Sequence, residues 1–333
     1  MRNKLMVIGS NSIHTYTFIT LIHDYFEEII LLTNEKQQNV DFKVIELDFR
    51  LKNFQTIFQI KKIANTFQPT HIHIHQANSY AFLSFLALKN YPAKKILNAW
   101  GSDILLNPKK NFLFKQMVKF NLKQADIIVA DSDTVLKEAT RLVSDIKTEN
   151  INFGIDFIEC NKSKEKIIYS NRLHKSLYNI DKIIYAFNKF VKKNPEWKLV
   201  IAGDGEDTPK LKKIVYDFGI EKSVDFIGFV DKKTNFHYYC KSKIYISIPQ
   251  SDSVSLSLVE AIVSGCVVFV SDLDANKEVV DVTTGIILDN LENIDFLRFK
   301  KVDRMLQVRS INYLKKKFSK EYNNQRYREI YEY

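Results

Sequence analysis

Residues that break or staple a chain are scarce in this one: 9 Gly, 6 Pro and 3 Cys in 333 residues. So few glycines and prolines leave no low-complexity linker. Cys160, Cys240 and Cys266 are odd in number and widely spaced, so they read as free thiols of a reducing compartment. Zinc-finger spacing and RNA-recognition signatures are missing, which makes nucleic acid the weaker partner. No apolar run approaches the ~20 residues of a spanning helix. The run Leu5-Met6-Val7-Ile8 is too short for a signal peptide. The expectation is a cytoplasmic protein, with peripheral attachment to the inner face of the cell membrane as a variant.

Positive charge is what the chain has in excess. Lys and Arg outnumber Asp and Glu by 49 to 39, a net charge of +10. Such a balance favours polyanions, anionic lipid or phosphorylated substrates. A composition of 45% hydrophobic and 26% charged residues is ordinary for a globular protein. At this length two domains are the prior.

Short β-branched runs alternate with helical patterns, the rhythm of an α/β protein with parallel sheets. Strands are expected at Leu5–Ile8, Glu28–Leu32, Val44–Leu47, His71–His75, Lys95–Ala99 and Ile127–Ala130. A second series is expected at Lys166–Tyr169, Lys198–Ala202, Val224–Ile227, Ile244–Ile248, Val267–Val270 and Gly285–Leu288. The reading is two Rossmann-like domains facing each other across a cleft. Residues 1–158 form the acceptor domain and 159–310 the second domain; a helix in 311–333 crosses back to the first. Ligands of open parallel sheets sit beyond the carboxyl ends of the strands, so the loops there hold the candidates.

In the first half, Gly9 and Ser10 begin a small-residue loop that ends at His14 and leads into a helix, whose N-terminus favours an anion. An ordinary strand-to-helix turn reads the same way. His71, His73 and His75 share one strand face. Neighbours on a single strand do not complete a tetrahedron, so no metal is expected, and His75 is kept as a residue lining the acceptor side. Trp100-Gly101-Ser102-Asp103 follows a strand; Asp103 is a candidate to orient an acceptor hydroxyl or take its proton, with Trp100 and Ser102 beside it. Capping the next helix is the alternative for Asp103 and Ser102. Lys115, Lys119 and Lys123 form a basic stripe on a helix from Phe112, a pattern of membrane-surface helices and of ordinary solvated faces alike.

The most informative stretch is Pro249–Gly265, where a strand runs through a serine-rich turn into a helix. Seven residues separate Asp252 from Glu260. Ahead of it come Tyr169-Ser170-Asn171-Arg172, then Ala202-Gly203-Asp204-Gly205, then Gly228-Phe229-Val230. In their order and spacing these loops resemble the retaining glycosyltransferases of family 4, which have the GT-B fold. The resemblance covers most of the chain and includes Trp100–Asp103.

That resemblance implies roles. Glu260 holds the ribose hydroxyls of a nucleotide, as an acceptor-only carboxylate can. Asp252 takes the place of a family Glu that contacts the donor sugar, one methylene shorter. Ser253, Val254, Ser255 and Leu256 offer backbone N–H groups to a diphosphate at the helix start. Arg172 stabilises the departing diphosphate, and Lys175 is the nearest candidate for a second cation, since the family position holds Leu177. Gly203, Gly228, Phe229 and Val230 line the nucleotide. The implied activity is transfer of a sugar from a nucleotide diphosphate-sugar, UDP rather than GDP, to a hydroxyl acceptor with retention. No metal or other cofactor is expected. The acceptor is a saccharide or a lipid-linked saccharide of surface polysaccharide or glycolipid synthesis. The rival readings are a silent nucleotide-sugar-binding protein, a GT-B nucleotide-sugar epimerase and a polyanion-binding protein.

Overall fold

The computed structural model describes residues 3–35, 40–157, 159–160 and 163–332. The chain divides into two units, Met1–Gly154 with Lys320–Tyr333, and Ile155–Ser319. Among the described residues each unit holds one parallel sheet.

The strands of unit 1 are β1 (Lys4–Ile8), β2 (Glu28–Thr33), β3 (Lys43–Glu46), β4 (His71–His75), β5 (Lys94–Asn98), β6 (Ile127–Ala130) and β7 (Thr148–Asn150). Their order is β3-β2-β1-β4-β5-β6-β7. Side chains alternate across the sheet. Met6, Ile8, Ile72 and Ile74 enter one core. Leu5 and Val7 enter the other with Phe18, Tyr327 and Tyr331. Burial on both faces is why these strands read as continuous apolar runs.

Unit 2 contains β8 (Glu165–Ser170), β9 (Lys198–Ala202), β10 (Val224–Gly228), β11 (Ser242–Ser247), β12 (Val267–Ser271) and β13 (Gly285–Leu288). The order is β10-β9-β8-β11-β12-β13. Ile168, Ile244 and Ile246 pack with Phe187 and Trp197 on one side. Tyr169 and Tyr245 pack with Tyr239, Leu258 and Ile262 on the other. Strand order reverses between β1 and β4 in unit 1 and between β8 and β11 in unit 2, the switch points where such sheets bind ligands.

Three expectations change. Strand β7 escapes sequence reading because Thr148-Glu149-Asn150 is short and polar. The divisions fall at 154/155 and 319/320 rather than at 158/159 and 310/311. The helix Arg304–Lys317 stays with unit 2, where Leu314 and Phe318 enter the core, and a separate helix, Lys320–Glu332, joins unit 1. Finally, the reading of three free thiols is corrected. Cys160 and Cys240 form a disulfide with Cα atoms 5.1 Å apart, and Cys266 is a buried free thiol. Their separation of 80 residues conceals that the helix Lys232–Lys241 ends beside the segment entering β8. No helix among the described residues is long and apolar enough to cross a membrane.

Candidate functional site

The neighbouring strands β8 and β11 deliver Arg172 and Asp252 to one place. Arg172 donates to Asp252 Oδ2 at 2.5 Å and to Ser255 Oγ at 2.6 Å. Its guanidinium lies 4.5 Å from the centre of the Tyr178 ring. The side chain is 11% exposed. Burial opposes its charge most, but Asp252, Tyr245 and Tyr178 together outweigh burial and move the Arg172 pKa above its ordinary value. Arg172 is therefore a permanent cation at the switch point.

The helix Leu256–Val263 starts at the same spot. Ser255 precedes it in an extended conformation, with its hydroxyl engaged by Arg172 rather than capping the helix. Val254 is buried in the core and Ser253 is buried with its N–H on Asp252 Oδ1 at 3.1 Å. Through Ser255 this arrangement sets the start of the helix beside the Arg172 cation. An anion placed here meets a guanidinium and a helix N-terminus together.

Glu260 lies on the second turn of that helix. Burial pushes its carboxyl up to about 7; Lys232 and a hydrogen bond from Tyr239 pull it down, and Asp156 pushes it up. Lys232 and Asp156 are themselves ion-paired. The loops after β9 and β10 close in on the same strand ends. Gly203 has φ +104°, and a β-carbon there would lie 2.5 Å from Arg172 O. Its N–H bonds Gly228 O at 2.7 Å. Only glycine permits that approach at that φ. Phe229 is 72% exposed, while Val230 rests partly on the core. Lys175 does not join the Arg172 contacts. It lines a separate recess with Ser176, Asn179, Lys210 and Gln250.

Unit 1 assembles its own group at its switch point. Trp100 Nε1 donates to His75 Nδ1 at 3.1 Å, and the His14 ring stands edge-on to Trp100 at 5.3 Å. A β-carbon on Gly9 would lie 3.0 Å from His75 Cβ, and Ser10 O accepts from Thr15 Oγ1 at 2.9 Å. Burial, then His14, pushes His75 down to about 3, so it is neutral. Asp103 is 2% exposed. One oxygen accepts from Ala77 N at 2.7 Å and the other from Trp100 N at 3.0 Å. That clamps two loops together, a structural use of the carboxylate that the motif alone did not distinguish from an acceptor role. Ser102 opens the short helix that follows and is exposed. His71 and His73 turn to the last helix, bonding Tyr331 O at 3.0 Å and Tyr331 Oη at 2.8 Å.

Some residues around the site gave no sequence signal. Tyr178 stacks on Arg172, and the buried Tyr239 and Tyr245 meet the part-buried Asn171 amide. Tyrosines in a strand and a helix read as core.

Comparison with known proteins begins with the fold. Anabaena HepE, solved in complex with UDP, superposes with a TM-score of 0.80 at 12% identity over 98% of this chain and 99% of that one. At this identity the likeness speaks for the fold, which is GT-B with two Rossmann-like domains. Residues 154–316 match the family described as glycosyl transferases group 1, and residues 5–132 match glycosyl transferase 4-like. The chain belongs to the group 1 glycosyltransferase family. Its relatives include N-acetyl-alpha-D-glucosaminyl L-malate synthase of Bacillus anthracis, 25% identical over 58% of this chain and 54% of that protein. Another is poly(glycerol-phosphate) alpha-glucosyltransferase of Bacillus subtilis, 33% identical over 39% of this chain and 20% of that protein. The chain thus spans about half the length, or less, of these two relatives.

Proposed function

We propose that this chain transfers a sugar from a nucleotide diphosphate-sugar to a hydroxyl acceptor, with retention at the anomeric carbon and without a metal. One observation supports this above the others: Arg172 meets the start of the helix Leu256–Val263 at the switch point of unit 2, and the half-buried Glu260 lies on that same helix. In this reading Glu260 accepts the ribose hydroxyls and the first-turn N–H groups receive the diphosphate. Arg172 exchanges its bond to Asp252 for phosphate oxygens. Charge that develops on the leaving diphosphate then meets donors already in place, the effect that usually contributes most to catalysis. UDP is the favoured nucleotide, in line with HepE, which is solved with UDP. Retention is in line with the alpha descriptor in both relatives' names.

The acceptor in this reading is a saccharide, a polyol phosphate or a lipid-linked saccharide of bacterial surface-polymer synthesis, received in unit 1 near His14, His75 and Trp100. The charge of +10 favours such anionic acceptors. Exposed Phe112 and Leu113 beside Lys109, Lys110 and Lys115 would favour peripheral contact with an anionic membrane. A second reading, a silent sugar-nucleotide-binding protein, is favoured by the pairing of Arg172 with Asp252 and the distance of Lys175 from it.

The test is a thermal-shift series with UDP, GDP and their glucose and N-acetylglucosamine forms, followed by transfer assays with and without a chelator. Stabilisation by one nucleotide series is expected, since a ligand of the folded state raises its stability by mass action. Binding with neither transfer nor hydrolysis across an acceptor panel would select the silent reading. No binding at all would sink both.

A further inference from the structure

The last helix of unit 2, Arg304–Lys317, buries one face and turns the other to solvent. On the inward side Gln307 Nε2 donates to Cys266 O at 3.0 Å, the Ser310 and Thr283 hydroxyls meet at 2.7 Å, and Leu314 and Phe318 enter the core. These residues recur at steps of three and four, one stripe of a helix. Steps of three and four also join the outer stripe, from Met305 and Leu306 through Val308 and Arg309 to Tyr313 and Lys316. Met305 is 80% exposed, Val308 56% and Tyr313 64%. Val282, 84% exposed, stands on the loop that the Ser310–Thr283 contact holds to the helix. Single exposed apolar side chains are ordinary, but a stripe of them on one helix marks a contact surface.

The charge around this stripe has one sign. From Phe296 to Ser319 there are eight lysines and arginines against one acid, Asp303, a net of +7 in a chain whose total is +10. Asp303 caps the helix, accepting from Met305 N at 2.8 Å and Leu306 N at 3.3 Å. Asp281, on the neighbouring loop, is taken up by the N–H of Thr283 at 2.8 Å and its hydroxyl at 2.6 Å. The helix itself carries no Asp or Glu. Lys315, Lys316 and Lys317 also suit the negative end of the helix dipole. Arg309, in the middle of the helix among apolar neighbours, has no such reason to be there.

We propose that the outer face of Arg304–Lys317 is a docking surface for an anionic lipid bilayer. Met305, Val308 and Tyr313 enter the headgroup layer, and Arg309 and Lys316 meet lipid phosphates. An apolar stripe flanked by basic residues is what a helix lying in the plane of such a surface needs. Tyrosine suits that depth, with an apolar ring and a polar tip. A polynucleotide would use the charge and leave Met305 and Val308 idle, and a folded protein partner would not call for charge of a single sign. This surface belongs to unit 2 and is separate from Phe112 and Leu113 of unit 1. It stands whether or not the chain transfers a sugar.

The experiment is flotation of the full chain with vesicles of phosphatidylcholine alone and of phosphatidylcholine mixed with phosphatidylglycerol. Binding is expected to the mixed vesicles only, and it should weaken as added salt shortens the reach of charge attraction. Arg309→Glu with Lys316→Glu should lower partitioning by about tenfold or more. Met305→Ser with Val308→Ser should lower it by about tenfold. Thermal melting should stay unchanged, because these side chains face water. Phe112→Ser with Leu113→Ser serves as the parallel arm on unit 1. Should a variant fail to fold, Tyr313→Trp decides: its added emission should move to shorter wavelength on mixed vesicles alone. Absence of vesicle binding would overturn the inference, as would binding that only the change at Phe112 and Leu113 removes. Retention by single-stranded RNA without retention by vesicles would overturn it too, and so would a Tyr313→Trp emission indifferent to lipid.

Discussion

In the proposed reading Glu260 stores a conflict between folding and binding. Its carboxyl is pushed up to about 7, against an ordinary value of 4.5, chiefly by burial. A carboxyl whose folded pKa is raised favours the fold fully below its unfolded value and loses that contribution as pH rises toward 7. Glu260→Gln should therefore stabilise the ligand-free chain at pH 8, by about 1–3 kcal/mol given its residual exposure. The same change should weaken UDP-glucose binding by about 2 kcal/mol. Urea unfolding at pH 5 and pH 8 checks the first part, with the gain confined to pH 8. Asp252 carries the opposite expectation. Asp252→Asn strands the nearly buried Arg172 guanidinium, at a cost of roughly 2–4 kcal/mol, short of the full penalty because Asp252 is 24% exposed. A stability loss below about 0.5 kcal/mol would place the pair among ordinary surface bridges. Arg172, Asp252 and Glu260 were legible in the sequence because spacing and loop order mark them. Tyr178 and Tyr239 were not, since a tyrosine's spacing says nothing of what its ring or hydroxyl meets. The loop clamp made by Asp103 was not legible, because a carboxylate after Gly-Ser at a strand end looks the same whether it holds a substrate or two loops.

At the level of elements, legibility followed burial. Strands covered on both faces, such as β1 and β12, announce themselves as unbroken apolar runs, whereas β7 is three polar residues at the sheet edge. The imidazoles of β4 are the harder case. Alternation placed them correctly on one face, but what covers that face comes from the far end of the chain. His71 and His73 bond Tyr331, and Phe18 and Tyr327 pack against the His73 ring. The helix Lys320–Glu332 is therefore the outer wall of unit 1. A chain stopped after Ser319 should expose this face and lose the cooperative melting of unit 1. Hydrogen exchange should show β1 and β4 unprotected and β8 and β11 unchanged. Protected β1 in the shortened chain would show that the helix is dispensable.

For the molecule as a whole, the covalent map matters first. Thiol titration of the unfolded, unreduced chain should find one reactive sulfhydryl per molecule, from Cys266, and three after reduction. Three without reductant would mean that the Cys160–Cys240 bond does not form in the purified protein. The two-unit plan was legible because the strand series restarts near residue 165. The exact exchange points were not, since they depend on which core receives each of the last two helices. Phe318 decides it for the first of them, by entering the unit 2 core.

The chain leaves unit 1 and re-enters it at one place. Gly154 has φ +68°, and a β-carbon there would lie 2.6 Å from Lys320 Cα, so the last residue before unit 2 touches the first residue after it. On the other side Ile155 bridges Ser319. Unit 2 is thus an uninterrupted insert whose two ends meet, and it can be treated as a cassette. Excising Ile155–Ser319 and splicing Gly154 to Lys320 through a short glycine link should yield a self-standing unit 1, and the excised segment should fold alone. Two-dimensional NMR of the pieces, overlaid on the intact chain, would read the outcome directly. If both survive, ligand binding by each unit can be measured on a separate molecule.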